Sequence, residues 1–484
     1  MYRIIDKFKN ASTAAKASMA LLFANLVLKG LSLISGPIFT RIMTTDQYGI
    51  VSTFQSWQSL LAVIITLNLS SGVFNNGMLD FKEKRDEFQL SLLAISSLSC
   101  VLFYIIFWIF NKPLMQLFEL PVILVHLMFV YFLVVPAYWY WSGRQRYEYK
   151  YKALSAITIG STVISLIVGV IAVLASPTKT DAIVRVFALE GVSVLIGLFF
   201  YIYTWIKARF KVNFKYCVYA LKFNIPLLPH YMSMYVLSSS DRIMITKMVN
   251  TSATAIYSVA YTVASVITIF WQSIDASLSP WIYEKLDKNE DDAVRKLTVQ
   301  IMLIFSVICI GCTLFAPEIM AVLAPSSYSS GIYVIPSVAT GVFFTGLYSL
   351  YMRIELFYKE TGFATIASTL AAVSNIILNY IFIRIYGSVA AGYTTMTCYA
   401  LLALFHYINV RRRGYAHVLN NKALGVISTT VIILSVAVTI LYSHAMLRYL
   451  FILAVFGVVV AKRKYFKSAL SKGNIGIRQG SKRD

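Results

Sequence analysis

The chain has 484 residues, of which 58% are apolar and only 13% charged, and its mean hydropathy is +0.70. Soluble globular domains carry about 25% charged residues, so this composition excludes a soluble protein and indicates an integral membrane protein. The formal net charge of +22 would suggest nucleic acid binding in a soluble chain. Here the basic residues form short clusters between apolar segments, as in cytoplasmic loops, and nucleic acid is not an expected partner.

Apolar segments of about 20 residues recur along the whole chain, and each is long enough to cross the hydrocarbon layer as a helix. Fourteen such segments predict an all-α polytopic membrane protein. In chain order the predicted spans cover residues 17–39, 51–74, 90–110, 120–141, 153–174, 183–206, 223–246, 254–281, 297–316, 332–356, 363–385, 389–410, 424–443 and 447–461.

Basic residues are distributed unevenly over the connections between these spans. Most of the 43 Lys and Arg residues fall on the side that holds both termini, and only Lys29, Arg242 and Arg353 lie well inside predicted spans. Because cytoplasmic loops are enriched in Lys and Arg, the distribution predicts that both termini are cytoplasmic.

No predicted loop has room for a separate soluble domain, so function is expected between the helices. Residues 40–57 and 241–263 share Arg-Ile-Met near a span end, followed by a Tyr-containing start of the next span. Their separation of about 200 residues is typical of a duplicated transporter. We predict two six-span lobes, two further spans and a basic cytoplasmic tail that contacts membrane lipids. The predicted boundaries are 1–220, 221–410, 411–461 and 462–484.

Lys29 lies inside the first predicted span, where a charged side chain costs about 2.5–3.5 kcal/mol on insertion. Asn25, Lys29, Ser32 and Gly36 share one helix face. The functional interpretation is a cationic cavity wall that binds an anion. The alternatives are a lysine paired within a static bundle or one that extends to the interface. We predict that Asn25 and Lys29 contact the substrate.

Tyr231, Tyr235, Ser238 and Arg242 share one face of the seventh predicted span. Aromatic and hydroxyl groups on one face suit sugar stacking and hydrogen bonding, so Tyr231, Tyr235 and Arg242 are further candidate substrate residues. An ion pair between Arg242 and Asp241, or anchoring at the interface, is the alternative.

Three embedded acidic residues, Asp241, Asp275 and Glu190, are candidates for coupling transport to a proton or ion. Neutralisation of a lysine is the alternative for Asp275. Arg353 is a candidate substrate residue, although an interfacial position beside the Glu355 and Lys359 pair is the alternative. The sequence has no P-loop, no nucleophile and base pairing and no metal-ligand cluster, so neither an enzyme nor a cofactor is expected.

Four segments carry a resemblance to a known family. They are Thr-Arg followed by Tyr-Gly within residues 37–50, Asp-Arg-Ile-Met-Ile at 241–245 with Ile-Tyr-Ser at 256–258, the Lys359 turn at 355–361, and the Asn375 and Asn379 segment that ends in Tyr-Gly at 386–387. They resemble the polysaccharide-exporter branch of the multidrug/oligosaccharidyl-lipid/polysaccharide flippase superfamily, the O-antigen type. One departure is residues 254–257, which lack the glycine of the family pattern.

The resemblance implies a MATE-like fold and flipping of undecaprenyl-diphosphate-linked oligosaccharide repeat units to the outer leaflet of a bacterial inner membrane. Transport would follow alternating access, for O-antigen, capsule or exopolysaccharide synthesis. Candidate protein partners are the polymerase and other polysaccharide assembly proteins. Two alternatives remain open: a cation-coupled multidrug exporter of the same fold, and a membrane glycan polymerase, which would usually need a large extracytoplasmic loop.

Overall fold

The computed structural model describes residues 13–177, 180–360 and 362–461, with side chains described at residue 24 and, within those ranges, from residue 27 to residue 457. The described residues form eighteen α-helices and no strand. In chain order these are α1 (Thr13–Ile42), α2 (Thr45–Ile65), α3 (Gly72–Asp80), α4 (Arg85–Ile109), α5 (Asn111–Phe118), α6 (Val122–Tyr147), α7 (Tyr151–Ala175), α8 (Asp181–Lys207), α9 (Phe214–Asn224), α10 (Leu228–Met248), α11 (Thr251–Asp287), α12 (Asp291–Leu314), α13 (Ala316–Leu323), α14 (Ile335–Phe357), α15 (Gly362–Tyr386), α16 (Val389–Arg412), α17 (Asn421–Ile440) and α18 (Ala445–Ala461).

Five short 3-10 helices connect these elements in the described part of the chain. They are Lys82–Lys84, Ile225–Leu227, Ser326–Tyr333, Tyr415–Val418 and Leu441–Ser443.

Every predicted span overlaps at least one α-helix, and the expectation of an all-α membrane protein is confirmed. Over the described residues, ten helices are long and apolar enough to cross a membrane. These ten are α4, α6, α7, α8, α11, α12, α14, α15, α16 and α17. The predicted tail at 462–484 lies outside the described residues.

The described residues form two compact units. Unit 1 extends to Tyr235 and includes Asn250–Ala255, and unit 2 consists of Val236–Val249 and the chain from Ile256 onwards. The helix α10 therefore begins in unit 1 and ends in unit 2. In unit 2, α14 is the most enclosed of the candidate spans, and Phe343 is completely buried on it. Helices on the outside, such as α17, expose large apolar side chains that lipid would cover.

The second predicted span is interrupted, and the prediction of one continuous helix over 51–74 is wrong at this point. Helix α2 ends at Ile65, residues 66–71 form a turn, and α3 begins at Gly72. Leu67 and Asn68 have left-handed φ angles of 55° and 46°, which a helix cannot contain. The side-chain amide of Asn224 donates a hydrogen bond to the Leu67 carbonyl, so one of the backbone groups released by the turn is satisfied.

A close approach between α6 and α3 fixes the wall beside this turn. Phe74 stacks on Tyr140 with ring centroids 5.6 Å apart. A Cβ atom at Gly143 would lie 2.6 Å from the Phe74 ring, so only glycine fits without a shift. The aromatic core of unit 1 thereby supports residues 70–75 from one side.

An ion-pair cluster holds the end of α6 at the predicted cytoplasmic side. Arg144 pairs with Asp86 and donates from Nε to Glu148 at 2.7 Å, and Lys150 donates to the other Glu148 oxygen at 2.6 Å. Burial acts to raise the pKa of Glu148, but the hydrogen bonds from Lys150 and Arg144 outweigh it and lower the pKa to about 2.

We expect this cluster to lose strength in acid. A carboxylate whose pKa is lowered on folding stabilises the fold above its ordinary pKa of 4.5, and this contribution disappears as the pH falls to about 2. Glu148→Gln should therefore lower the melting temperature of the detergent-purified protein at pH 6, and its difference from the unsubstituted protein should vanish near pH 2. Glu83→Gln, at an exposed side chain without an ion pair among the described residues, is the control. A pH-independent Glu148→Gln difference would contradict the assignment.

Candidate functional site

Lys29 lies on α1 in unit 1. Its side chain is exposed and has no ion pair among the described residues, and Ser32, on the same face, is exposed as well. The Asn25 side chain lies outside the described residues. An exposed lysine within a predicted span can contact a bound anion, so its substrate role stays a prediction.

Unit 1 also contains a buried arginine that sequence reasoning missed. Arg185 is only 8% exposed, its guanidinium carbon lies 3.4 Å from the centroid of the Phe39 ring, and Nη2 donates to Ser35 at 3.2 Å. Glu190, predicted to be embedded, is buried on the same helix α8. Arg185 is the third residue of its predicted span, and a long basic side chain near a span end can reach the interface, so its position does not mark a buried site.

Unit 2 holds Asp241 in a completely buried hydrogen-bond network. Its Oδ2 accepts from the Tyr257 hydroxyl at 2.5 Å and from the Thr395 hydroxyl at 2.8 Å, and its Oδ1 accepts from Asn379 at 2.8 Å. These four residues lie on α10, α11, α16 and α15. A buried carboxylate therefore joins four helices through hydrogen bonds.

The network continues to Asn375 on α15. The Ser240 hydroxyl donates to Asn375 Oδ1 at 3.0 Å, and the Asn375 amide nitrogen donates to the Thr395 hydroxyl at 2.9 Å. Sequence reasoning identified Asp241 but missed Thr395, which lies in an apolar and hydroxyl-rich segment without a charge to mark it.

The predicted face of the seventh span is divided between the two units. Tyr231 and Tyr235 belong to unit 1, whereas Arg242 belongs to unit 2. Arg242 donates to the Ser238 carbonyl at 2.9 Å, and its guanidinium carbon lies 4.5 Å from the centroid of the Tyr261 ring. Arg242 is therefore held by a cation–π contact rather than extended towards solvent.

Arg353 and Asp275 form an ion pair with each other in unit 2. Arg353 is 5% exposed, and its Nε also donates to Ser279 at 3.0 Å. One of the two interpretations of Asp275 was that it neutralises a lysine. In the structure its partner is an arginine, Arg353. The interfacial interpretation of Arg353 does not fit this burial.

The spacing of Glu355 and Lys359 predicted an ion pair between them, and this prediction is wrong. Both Glu355 oxygens are used inside unit 2, where Oε2 lies 2.7 Å from His406 Nδ1 and Oε1 accepts from Asn409 at 2.8 Å. The Glu355 and His406 side chains are each 2% exposed. Burial and a partner on α16 take precedence over a short-range pairing at the surface.

A cavity of about 1010 Å³ lies within unit 1, between the turn at residues 66–71 and the end of α6. Of the predicted substrate residues, it includes Tyr235. Its walls are formed by Ser70, Ser71, Gly72, Phe74, Asn75, Trp139, Ser142, Gly143, Arg146, Tyr147, Tyr149 and Tyr235. No group of three or more His, Cys, Asp or Glu side chains that could hold a metal ion occurs among the described residues.

Comparison with known proteins matches residues 14–285, more than half of the chain, to the family model described as polysaccharide biosynthesis protein. A curated relative is the probable low-salt glycan biosynthesis flippase Agl15 of Haloferax volcanii, 24% identical over 155 residues. That match spans 31% of this chain and 33% of the relative, so the chain spans about a third of the relative's length.

Solved structures resemble the fold over most of the chain. The lipid II flippase MurJ in an inward closed conformation has a TM-score of 0.68 at 17% identity, covering 93% of this chain and 99% of the MurJ chain. An inward-facing multidrug resistance MATE family transporter of the MOP superfamily has a TM-score of 0.56 at 13% identity, covering 83% and 98%. The predicted MATE-like fold is therefore confirmed.

Proposed function

The chain belongs to the polysaccharide biosynthesis protein family, and from this premise we propose that it is a flippase for lipid-linked oligosaccharide. The substrate would be an undecaprenyl-diphosphate-linked repeat unit, carried from the cytoplasmic to the outer leaflet of a bacterial inner membrane for surface polysaccharide synthesis. Agl15 and MurJ, to which this chain is similar, are both flippases, and this supports the proposed class of substrate. The chain would transport its substrate and not convert it.

The observation that carries the proposal is the placement of charge inside an apolar helix bundle. Lys29 is exposed on a predicted span without an ion pair in the described range, whereas Asp275 and Arg353 neutralise each other. A diphosphate headgroup needs a cationic partner, and an exposed lysine supplies one. Arg242 and Asn25 are further proposed contacts for the headgroup, and Tyr231 and Tyr235 are proposed contacts for its sugars. Arg353 can contact the headgroup only if its ion pair with Asp275 opens.

We propose that transport follows alternating access between two six-helix lobes, residues 1–220 and 221–410. Both termini would lie in the cytoplasm. Residues 411–461 would add two spans, and the tail at 462–484 would contact membrane lipids. Asp241 is the proposed coupling group because its buried carboxylate is held by three donors from three other helices, so a bound proton or cation would alter contacts between all four. Glu190 and Asp275 are the alternative coupling groups.

Deletion of the gene in its host tests the function, with lipid-linked oligosaccharide assayed by leaflet and surface polysaccharide assayed in parallel. Complete repeat units trapped on the cytoplasmic face, with surface glycan lost, would support a flippase. Units that reach the outer leaflet but stay unpolymerised would indicate the polymerase. Unchanged glycan with altered drug sensitivity would indicate the multidrug exporter, whose fold the chain shares.

Lys29→Ala is expected to abolish export in the complemented deletion strain while protein abundance in the membrane is unchanged. Export is lost because the positive charge that would bind the headgroup is removed. Abundance is unchanged because Lys29 is exposed and makes no ion pair among the described residues that the substitution would break. Lys29→Arg should restore part of the export, because the charge is retained while the larger fork changes the fit. Surface polysaccharide and immunoblots measure both effects. Wild-type export by Lys29→Ala would remove Lys29 from the site.

A further inference from the structure

The unit 1 cavity, with its twelve wall residues, lies at the end of α6 next to the basic segment at 144–152. Its volume of about 1010 Å³ is at the upper end of the range of ligand sites in proteins, which is about 300–1,000 Å³. The walls combine serine hydroxyls and an asparagine amide with aromatic rings and one guanidinium group. This is the chemistry of a saccharide site with an anionic neighbour, rather than of a lipid-tail groove.

The interruption of the second span supplies part of the cavity wall. Residues 66–71 leave the helix, and the last two of them, Ser70 and Ser71, line the cavity together with Gly72, the first residue of α3. Non-helical backbone at membrane depth is tolerated where it is buried in protein or lines a water-filled cavity. Broken helices in transporters therefore often mark the substrate site.

Two arginines on the last turn of α6 have different surroundings. Arg144 is committed to ion pairs with Asp86 and Glu148. Arg146 is exposed, lines the cavity, and makes no ion pair among the residues that the structure describes. Arg146 thus has a free guanidinium group that can bind a phosphate with two parallel hydrogen bonds.

Two aromatic residues reach the same cavity from different helices. Trp139 lies on α6 two turns before Arg146, and Tyr235 on α10 is 40% exposed. Exposed aromatic rings bind the apolar faces of sugar rings, while Asn75 and the serines can bond to sugar hydroxyls.

We propose that the unit 1 cavity is the site that takes the glycan diphosphate headgroup from the cytoplasmic leaflet. Arg146 binds the diphosphate oxygens, and Trp139 and Tyr235 stack on the sugars attached to it. This assignment rests on the proposed function and adds the residues that select the substrate. It separates two tasks: the guanidinium group recognises the diphosphate that all such substrates share, and the aromatic wall recognises the glycan.

The test is equilibrium binding to the full-length protein in detergent, measured by thermophoresis with three probes. These are farnesyl diphosphate, N-acetylglucosamine linked to farnesyl diphosphate, and free N-acetylglucosamine. The unsubstituted protein should bind the sugar-linked diphosphate more tightly than farnesyl diphosphate, and free sugar most weakly. Arg146→Gln should raise the Kd of both diphosphates about tenfold. Tyr235→Leu and Trp139→Leu should raise the Kd of the sugar-linked probe about three- to tenfold and leave that of farnesyl diphosphate unchanged.

Lys152→Gln is the matched control, because Lys152 is exposed on the same basic segment but does not line the cavity. Melting temperatures establish that each variant is folded. Equal losses in Arg146→Gln and Lys152→Gln, or no change in Arg146→Gln, would overturn the diphosphate assignment. Identical affinities for the two diphosphates in all variants would overturn the glycan assignment.

The deletion strain distinguishes failure of the cavity from failure of the function. Repeat units trapped in that strain, together with unaffected binding in the cavity variants, would reject the cavity while the flippase function stands. Normal flipping in the deletion strain would reject the function itself.

Discussion

Asp241→Ala is expected to be one of the most damaging substitutions in the chain. It leaves the Tyr257 and Thr395 hydroxyls without their shared acceptor in a fully buried position, whereas the Asn379 amide keeps its bond to Asn375. Each unsatisfied buried donor costs about 1–3 kcal/mol, so the free energy of unfolding should fall by about 3 kcal/mol or more. The measurement is the melting temperature of the detergent-purified protein, together with its abundance in the membrane.

Asp241→Asn separates the structural role of this residue from coupling. The amide has nearly the shape of the carboxyl group and retains one acceptor oxygen, so the protein should accumulate, whereas export should be lost because the ionisable group is gone. Asp287→Asn, at an exposed position on the last turn of α11, is the control and should export normally. An Asp241→Asn protein that exports at the normal rate would limit Asp241 to a structural role.

Gly49→Ala is expected to destabilise unit 1 through a backbone clash. A methyl group at Gly49 on α2 would overlap the carbonyl oxygen of Thr251, at the start of α11, and a backbone atom cannot rotate away. The same junction is held by the Thr251 hydroxyl, which donates to Asp46, and by a 3.2 Å contact between the Thr45 and Ser252 hydroxyls. Forced overpacking costs about 1–3 kcal/mol, and we expect the upper end here.

Gly160→Ala is the matched comparison for this clash. Gly160 lies in α7, and a Cβ atom there would meet nothing within 4 Å. Alanine favours a helix over glycine by about 1 kcal/mol, so the melting temperature should stay constant or rise. If both variants melt like the unsubstituted protein, the proposed close contact at Gly49 is wrong.

The helices were predictable because an apolar segment of membrane-spanning length has few alternatives. The predicted span at 363–385, for instance, corresponds to α15 (Gly362–Tyr386) within one residue at each end. The turn at 66–71 was not predicted, since Leu67 and Leu69 continue the apolar pattern and the predicted span 51–74 contains no proline. The signal lay in the cluster of Asn68, Ser70, Ser71 and Gly72, which are residues that favour turns.

The candidate site was predictable residue by residue but not in its pairings. Embedded charge pointed to Asp275 and Arg353 separately, because charge in a membrane span is costly wherever it occurs. Their ion pair joins α11 and α14 across 78 positions, and no local pattern records such a separation. The partner of Glu355 was predicted wrongly for the same reason, since Lys359 is near in sequence while His406 is near in space.

The pairing of Arg353 with Asp275 has an electrical consequence. A transmembrane potential does about 2.3 kcal/mol of work per elementary charge per 100 mV, but an ion pair that moves as a unit carries no net charge and receives none. Lys29 has no such partner in the described residues, so in the proposed headgroup site its charge would offset part of that of a bound anion. With a headgroup of two negative charges, the lysine and its cargo together would carry a net charge of minus one. A membrane that is negative inside would then drive the loaded site outwards.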